Sequence, residues 1–417
     1  MTSEIKQRIE QINNGQVPEG YFRTTAGIIP QEWRISPLGS LLEFKNGVNA
    51  DKGKYGSGIK MISVMDVLKN TPIHYNDIIG QVDIDENTLN TYCVNYGDIL
   101  FQRSSETAED AGKSNVYLDN EKTTYSGFVI RGKKKADYCP YFLNEALKKE
   151  EARKQLIRNA AGSQHINIGQ ESLEKIEVCL PSATEQEKIA EILMKWDKAI
   201  ELQEKTIEKL HTKRDAVVQR VIKKKEGWHK EILSNILVER TKFATKEDGY
   251  PHASLTMDGV TQKTDRYNRD FLVKSDDKKY KVTHYNDICY NPANLKFGVI
   301  CVNKYENDAI FSPIYITYEV NPQYNTDFIG SILCSADFIR YIRKYEEGTV
   351  YERQSVKSSD FLRGVIWVPD TKEEQDQIAS IISEINTYIQ KQVDYCNSLK
   401  QQRKALQQYL LNGIVRV

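Results

Sequence analysis

The sequence predicts a mixed α/β (α+β) fold in which two globular modules are separated by two long helices that pair as an antiparallel coiled coil, the halves being related by a pseudo-twofold repeat. Three observations predict it. Residues 172–193 and 360–382 follow one recipe, a heptad seam runs on from each copy, and short strand-like runs with one late helical stretch precede each copy. With 417 residues, 40% hydrophobic and 28% charged, the chain holds apolar material for more than one core and too much for a disordered polymer.

The repeat comes first because it sets the limits of everything else. SLEKIEVCLPSATEQEKIAEIL and DFLRGVIWVPDTKEEQDQIASII each carry an apolar run ending in proline (Pro181, Pro369), a polar stretch, then Glu-Gln (Glu185-Gln186, Glu374-Gln375) opening a helix. The offset is 188 residues at the prolines and 189 from the Glu-Gln pairs onward, through Leu210 against Leu399 and Arg214 against Arg403. Upstream, Trp33 answers Trp228, and Tyr96-Gly97-Asp98-Ile99 answers Tyr285-Asn286-Asp287-Ile288. The expected organisation is an N-terminal helical segment over 1–20 with Ile5, Ile9 and Ile12 at helical spacing, globular domains over 21–183 and 226–371, and helices over 184–225 and 372–417.

Each helix opens on a Thr-x-x-Glu capping box, Thr184 to Glu187 and Thr371 to Glu374. The first then places Ile189, Leu193, Trp196, Ile200, Gln203, Ile207 and Leu210 at heptad spacing, and the second Ile378, Ile382, Ile385, Ile389, Gln392, Cys396 and Leu399. Antiparallel pairing of two such helices carries the modules to opposite ends, a dumbbell. Polar Gln203 and Gln392 on the seam are expected to fix register. Replacing both with Leu should scramble orientation, and an unchanged assembly would dismiss that role.

In the first module strands are expected at Ile59 to Val64, Ile99 to Gln102 and Phe128 to Arg131, with a helix from Tyr141 to Asn159. The second has strands at Asp287 to Tyr290, Val299 to Asn303 and Ile314 to Val320, with a helix from Asp327 to Glu346.

Several chemistries are excluded. Gly112-Lys113-Ser114 ends like a phosphate-binding loop, but the position that needs the first glycine is Thr107. Asn291-Pro292-Ala293-Asn294 lacks the second proline and the aromatic of the adenine-methyltransferase motif, and no Gly-rich cofactor loop precedes it. The six histidines show no metal-ligand spacing, and the seven cysteines form no CxxC pair, so no metal site or disulfide framework is expected. Lys+Arg and Asp+Glu balance at 58 each, so any nucleic-acid contact must come from local patches. No apolar run suits a membrane span or a secretory signal, and a cytoplasmic location is expected.

Two modules, each preceded by Pro30-Gln31-Glu32-Trp33 or Gly227-Trp228 and each closed by an apolar run, Pro, Glu-Gln and a heptad helix, resemble the specificity (S) subunit of type I restriction-modification systems. The resemblance spans essentially the whole chain. It implies a non-catalytic subunit whose two target recognition domains each read one half of a split double-stranded DNA sequence. It also implies that the helices set the spacing and dock two adenine methyltransferase (modification) subunits. S-adenosylmethionine would then belong to those partners, and ATP and Mg to restriction/translocase subunits that join them. One departure is that the second module follows its Asp-Ile with Cys-Tyr-Asn-Pro, where the first has Leu-Phe-Gln-Arg-Ser. The rival expectation is a coiled-coil scaffold with protein-binding ends.

If DNA is read, bidentate donors and amides must meet base edges. The loops after the Asp-Ile strands supply Gln102, Arg103, Ser104 and Lys113, with Gln164 and His165, in the first module, and Asn291, Asn294 and Lys296, with Arg353 and Gln354, in the second. Phosphate contacts need only positive charge, which Arg131, Lys133, Lys134 and Lys135, and Lys278, Lys279 and Lys281, can provide.

Overall fold

The computed structural model describes residues 3–162, 165–256, 259–262, 279–347 and 354–417. The chain divides into two compact units, the first made of residues 1–204 and 395–417, the second of residues 205–394. The two long helices are Ala183–Val221 and Lys372–Leu411.

In the first unit the central sheet has four strands in the order Leu42–Asn46, Val129–Lys134, Ile99–Gln102, Ser114–Val116, every neighbouring pair antiparallel. Arg34–Pro37 pairs with Glu177–Leu180, the apolar run before the first long helix. The core joins Phe101, Ile130 and Phe142 with Ile189 and Leu193 of the first long helix and Leu410 and Leu411 of the second. Near this core Glu185 binds Arg416, Asp197 binds Arg403 and Glu204 binds Lys400. Rising numbers on one helix meet falling numbers on the other, so the helices run antiparallel here. The leading helix, Ser3–Asn13, is tied to the C-terminal segment by Arg8, which donates to the Ile414 carbonyl at 2.7 Å.

The second unit is built to the same plan. Its central sheet runs Leu237–Glu239, Ile316–Val320, Ile288–Tyr290, Ile300–Val302, again all antiparallel. Trp228–Ile232 pairs with Val365–Pro369 as its counterpart did. Val218, Val221 and Ile222 of the first long helix and its end pack against the core that holds Ile378, Ala379 and Ile382 of the second.

The Glu-Gln motif now has a physical role. Gln186 Oε1 accepts the backbone N–H of Cys139 at 3.0 Å, and Gln375 Oε1 accepts that of Asn325 at 2.9 Å. Each glutamine thus satisfies a donor just ahead of a module helix, Pro140–Leu147 or Thr326–Leu333, and locks a long helix to its own module. The Asp-Ile echo is structural as well. Asp98 accepts from the Asn95 N–H at 2.9 Å, and Asp287 accepts from the His284 N–H at 2.8 Å. Both side chains are buried, and burial pushes both carboxyls up from their usual range. The turn before each aspartate needs a left-handed residue, Gly97 at φ 87° and Asn286 at φ 67°. Asn286→Val should therefore cost about 1–2 kcal/mol in a urea melt, whereas Asn286→Gly should be tolerated.

Three expectations are corrected. The cap of the first long helix is Ser182, whose Oγ accepts the Glu185 N–H at 3.3 Å, not Thr184, because the helix starts at Ala183. Thr371 does cap the second, accepting from Glu374 N at 3.4 Å, but the Glu374 carboxylate turns to Trp228 Nε1 at 3.0 Å, so the reciprocal half of the box is absent. Each module helix is also split, into Pro140–Leu147 and Glu150–Asn159, and into Thr326–Leu333 and Ala336–Ile342. The strand expected to reach Val64 stops at Ile62, because Ser63 and Asp66 cap a helical turn there. Among the described residues no helix is long and apolar enough to cross a membrane.

The seam residues fall as follows. Ile189, Leu193, Ile378, Ile382 and Ile389 are buried, while Trp196, Ile200, Gln203, Leu210, Ile385, Gln392 and Leu399 are half-buried. Part of the apolar stripe is therefore module core: Ile189 and Leu193 belong to one, Ile378 and Ile382 to the other.

Candidate nucleic-acid interface

Each central strand that follows a buried aspartate runs out into a loop held by the same bond. In the first unit the Arg103 carbonyl accepts the Ile168 N–H at 3.0 Å, and in the second the Pro292 carbonyl accepts the Val356 N–H at 3.3 Å. Just ahead of these donors the chain doubles back, with Ala161 bridging Asn167 and Glu347 bridging Ser355. So the described ends of the loop sets chosen from sequence, Arg103 with Ile168 and Pro292 with Val356, come together in each unit at the end of one sheet strand.

Individual side chains divide into those that serve the fold and those that face out. Gln102, Arg131 and Asn291, expected among the DNA contacts, are buried. Gln102 Nε2 donates to the Ser104 carbonyl at 2.9 Å, the Arg131 guanidinium donates to the Cys93 carbonyl beside the Tyr125 ring, and Asn291 Oδ1 accepts the Ala293 N–H at 3.1 Å. Lys281 is likewise buried and bound to Glu239. Each was chosen for its donor chemistry, and each spends at least one polar atom on a partner inside the protein.

Arg103 is half-buried, its backbone N–H donating to Phe128 O at 3.0 Å and its guanidinium reaching Gly127 O at 3.4 Å. Ser104 Oγ donates to Asn167, Lys113 pairs with Asp110 at 2.5 Å, and Lys133 and His165 are exposed. In the second unit Asn294 is exposed, Lys296 half-buried beside the Phe297 ring, and Gln354 half-buried. Gln164, Arg353 and Lys278 lie outside the described residues.

Sequence reasoning missed a matched apolar pair. Phe128 and Ile314, 67% and 62% exposed, occupy the third position of turns closed by Val129 N to Ser126 O at 2.9 Å and Tyr315 N to Ser312 O at 3.0 Å. The signal was a serine followed two residues later by a large apolar residue, recurring at an offset of 186. It is too short to notice without knowing that both are turns.

One scaffold is repeated in two units, each presenting a loop cluster at the same sheet end and each locked to a long helix by its glutamine. Residues 30–212 match the family described as the type I restriction modification DNA specificity domain. A putative type I restriction enzyme MjaX specificity subunit from Methanocaldococcus jannaschii is 27% identical over 237 residues, covering 55% of this chain and 52% of that protein. The chain thus spans about half the length of the curated relative it matches. The fold is that of the S subunit of the type I restriction-modification system from M. genitalium, which is 15% identical with a TM-score of 0.50, covering 91% of this chain and 96% of that one. A chain solved in work on complex assembly and conformational transition of the type I R-M system aligns with a TM-score of 0.57 at 12% identity, covering 93% and 99%. The likeness is thus to type I restriction-modification specificity proteins, over residues 30–212 for the family and over 237 residues for the relative.

Proposed function

We propose that this chain is the non-catalytic DNA specificity subunit of a cytoplasmic type I restriction-modification complex. Each unit reads one half of a bipartite duplex target, and the long helices set the spacing and dock two adenine methyltransferase subunits. S-adenosylmethionine belongs to those partners, and ATP and Mg to restriction subunits that join them. The observation that carries the reading is the repeat of one loop cluster at the same sheet end of both units, since a split target needs two readers on a common scaffold. The scaffold alternative draws no support from the comparisons.

The contacts that fit are Arg103, with donors suited to guanine, and Asn294, with an amide suited to adenine. Phe128 and Ile314 are placed for apolar contact such as a thymine methyl. Lys113 and Lys133 are suited to phosphate. Exchanging residues 31–180 for another module, with the methyltransferase co-expressed, should change one half of the methylated sequence and leave the other intact. An unchanged methylation pattern would sink the proposal. Arg103→Ala should lose about 1–3 kcal/mol of discrimination at one base pair in competition binding. Uniform weakening across sequences would make Arg103 a phosphate contact instead.

A further inference from the structure

The repeat allows one unit to serve as a template for the other, and at one place they differ. In the first unit Arg403 closes a self-contained cluster. Its guanidinium donates to Asp197 Oδ1 at 2.8 Å, to Glu145 Oε2 at 2.6 Å and to the Tyr141 hydroxyl at 3.0 Å. The Arg403 and Glu145 side chains retain only 15% and 1% of their exposure.

The matching positions in the second unit follow from bonds already described. Because Gln186 and Gln375 bind the N–H groups of Cys139 and Asn325, Tyr141 corresponds to Asp327 and Glu145 to Ser331. The helical offset sets Arg403 against Arg214 and Asp197 against Asn386. Arg214, Asp327, Ser331 and Asn386 all line one groove of about 820 Å³. The arginine is kept, but both of the carboxylates that engage it in the first unit are replaced by neutral groups, Asp197 by Asn386 and Glu145 by the shorter Ser331. Asp327, in the place of Tyr141, is paired with Lys304 at 2.7 Å. Arg214 itself pairs with its helix neighbour Asp215, which is 61% exposed.

We propose that this groove seats an acidic side chain of a methyltransferase subunit, its carboxylate taking on Arg214 the place that Glu145 takes on Arg403. The proposal rests on the functional reading above, which assigns the long helices to subunit docking. Segments of both helices wall the groove, with Arg214 and Val218 on one and Ile382 and Asn386 on the other. Apolar Val218, Ile339 and Ile382 suit the stem of a glutamate and its chain neighbours better than a free anion. A guanidinium with a planar fork prefers a carboxylate to any neutral guest.

The test fills the groove from within. The Ser331→Glu/Asn386→Asp double variant restores the two carboxylates of the first unit. It is expected to keep or raise its melting temperature while losing at least about tenfold in affinity for one of the two co-expressed methyltransferase subunits, read by native mass spectrometry and titration. Arg214→Ala removes the cation without adding bulk and should weaken the same subunit, so the idea stays testable if the double variant misfolds. Undiminished binding of both subunits by either folded variant overturns the proposal. A wild-type chain that captures no methyltransferase at all overturns the functional reading instead, and that outcome is visible without any variant.

Discussion

Arg403→Ala is expected to destabilise the first unit by about 3–5 kcal/mol, because it strips the buried Glu145 carboxylate of one of its two counter-charges and leaves Asp197 and Tyr141 without their shared donor. Glu145 is almost wholly buried, and burial pushes its carboxyl up, yet the charges of Lys148 and Arg403 and their hydrogen bonds outweigh this and hold it below the usual glutamate range. The sign of the pH dependence follows. A carboxyl whose folded pKa lies below its unfolded value contributes stability above the unfolded pKa and loses it as pH falls through the folded one. In the variant burial acts with Lys148 alone against it, so the penalty should be largest at neutral pH and shrink as acid protonates Glu145. Urea melts at neutral pH and near pH ~4 measure both points. A penalty that stayed constant across that range would mean lost packing and not a stranded charge. Arg214→Ala, whose pair with Asp215 is solvent-screened, should cost the isolated chain only about 0–1 kcal/mol. The two arginines look alike in sequence, and the contrast between them is what the repeat alone does not reveal.

That contrast shows where sequence reasoning ended. Periodicity and offset exposed the duplication, both long helices and the two loop sets, because those signals recur over many residues. Two partners of Arg403, Tyr141 and Glu145, lie on a module helix at a different offset from the arginines themselves, so no single offset brings Glu145 and Ser331 into comparison. The break between the module helices was equally hidden. Lys148 and Lys149 are ordinary helix formers, and the chain turns there because the Lys149 amine reaches the Ala26 and Leu411 carbonyls at 3.3 and 3.1 Å. Such tertiary bonds override local propensity. The burial of Gln102, Arg131 and Asn291 was hidden for the same reason: donor chemistry says what a side chain can bind, and tertiary packing decides where it sits.

The second large effect is expected at Phe361. Its ring is fully buried, stacked on Tyr290 at 4.6 Å and Tyr318 at 5.6 Å and edge-on to Phe338 at 5.7 Å. Phe361→Ala should cost the second unit about 3–5 kcal/mol through a cavity that three rings cannot collapse into. Phe361→Leu, which installs the type of Leu173 at the equivalent place in the first unit, should cost less, about 1–2 kcal/mol. The same rings hold the second loop cluster, since the Tyr290 hydroxyl donates to the Val356 carbonyl at 3.1 Å and the Tyr318 hydroxyl meets Ser358 Oγ at 2.9 Å. On the proposed function, loosening them should therefore relax the half of the target assigned to the second unit and spare the half assigned to the first. Methylation profiling of Phe361→Leu with the methyltransferase co-expressed measures this. Equal relaxation in both halves would show that the units do not read independently, whatever the melting curves say.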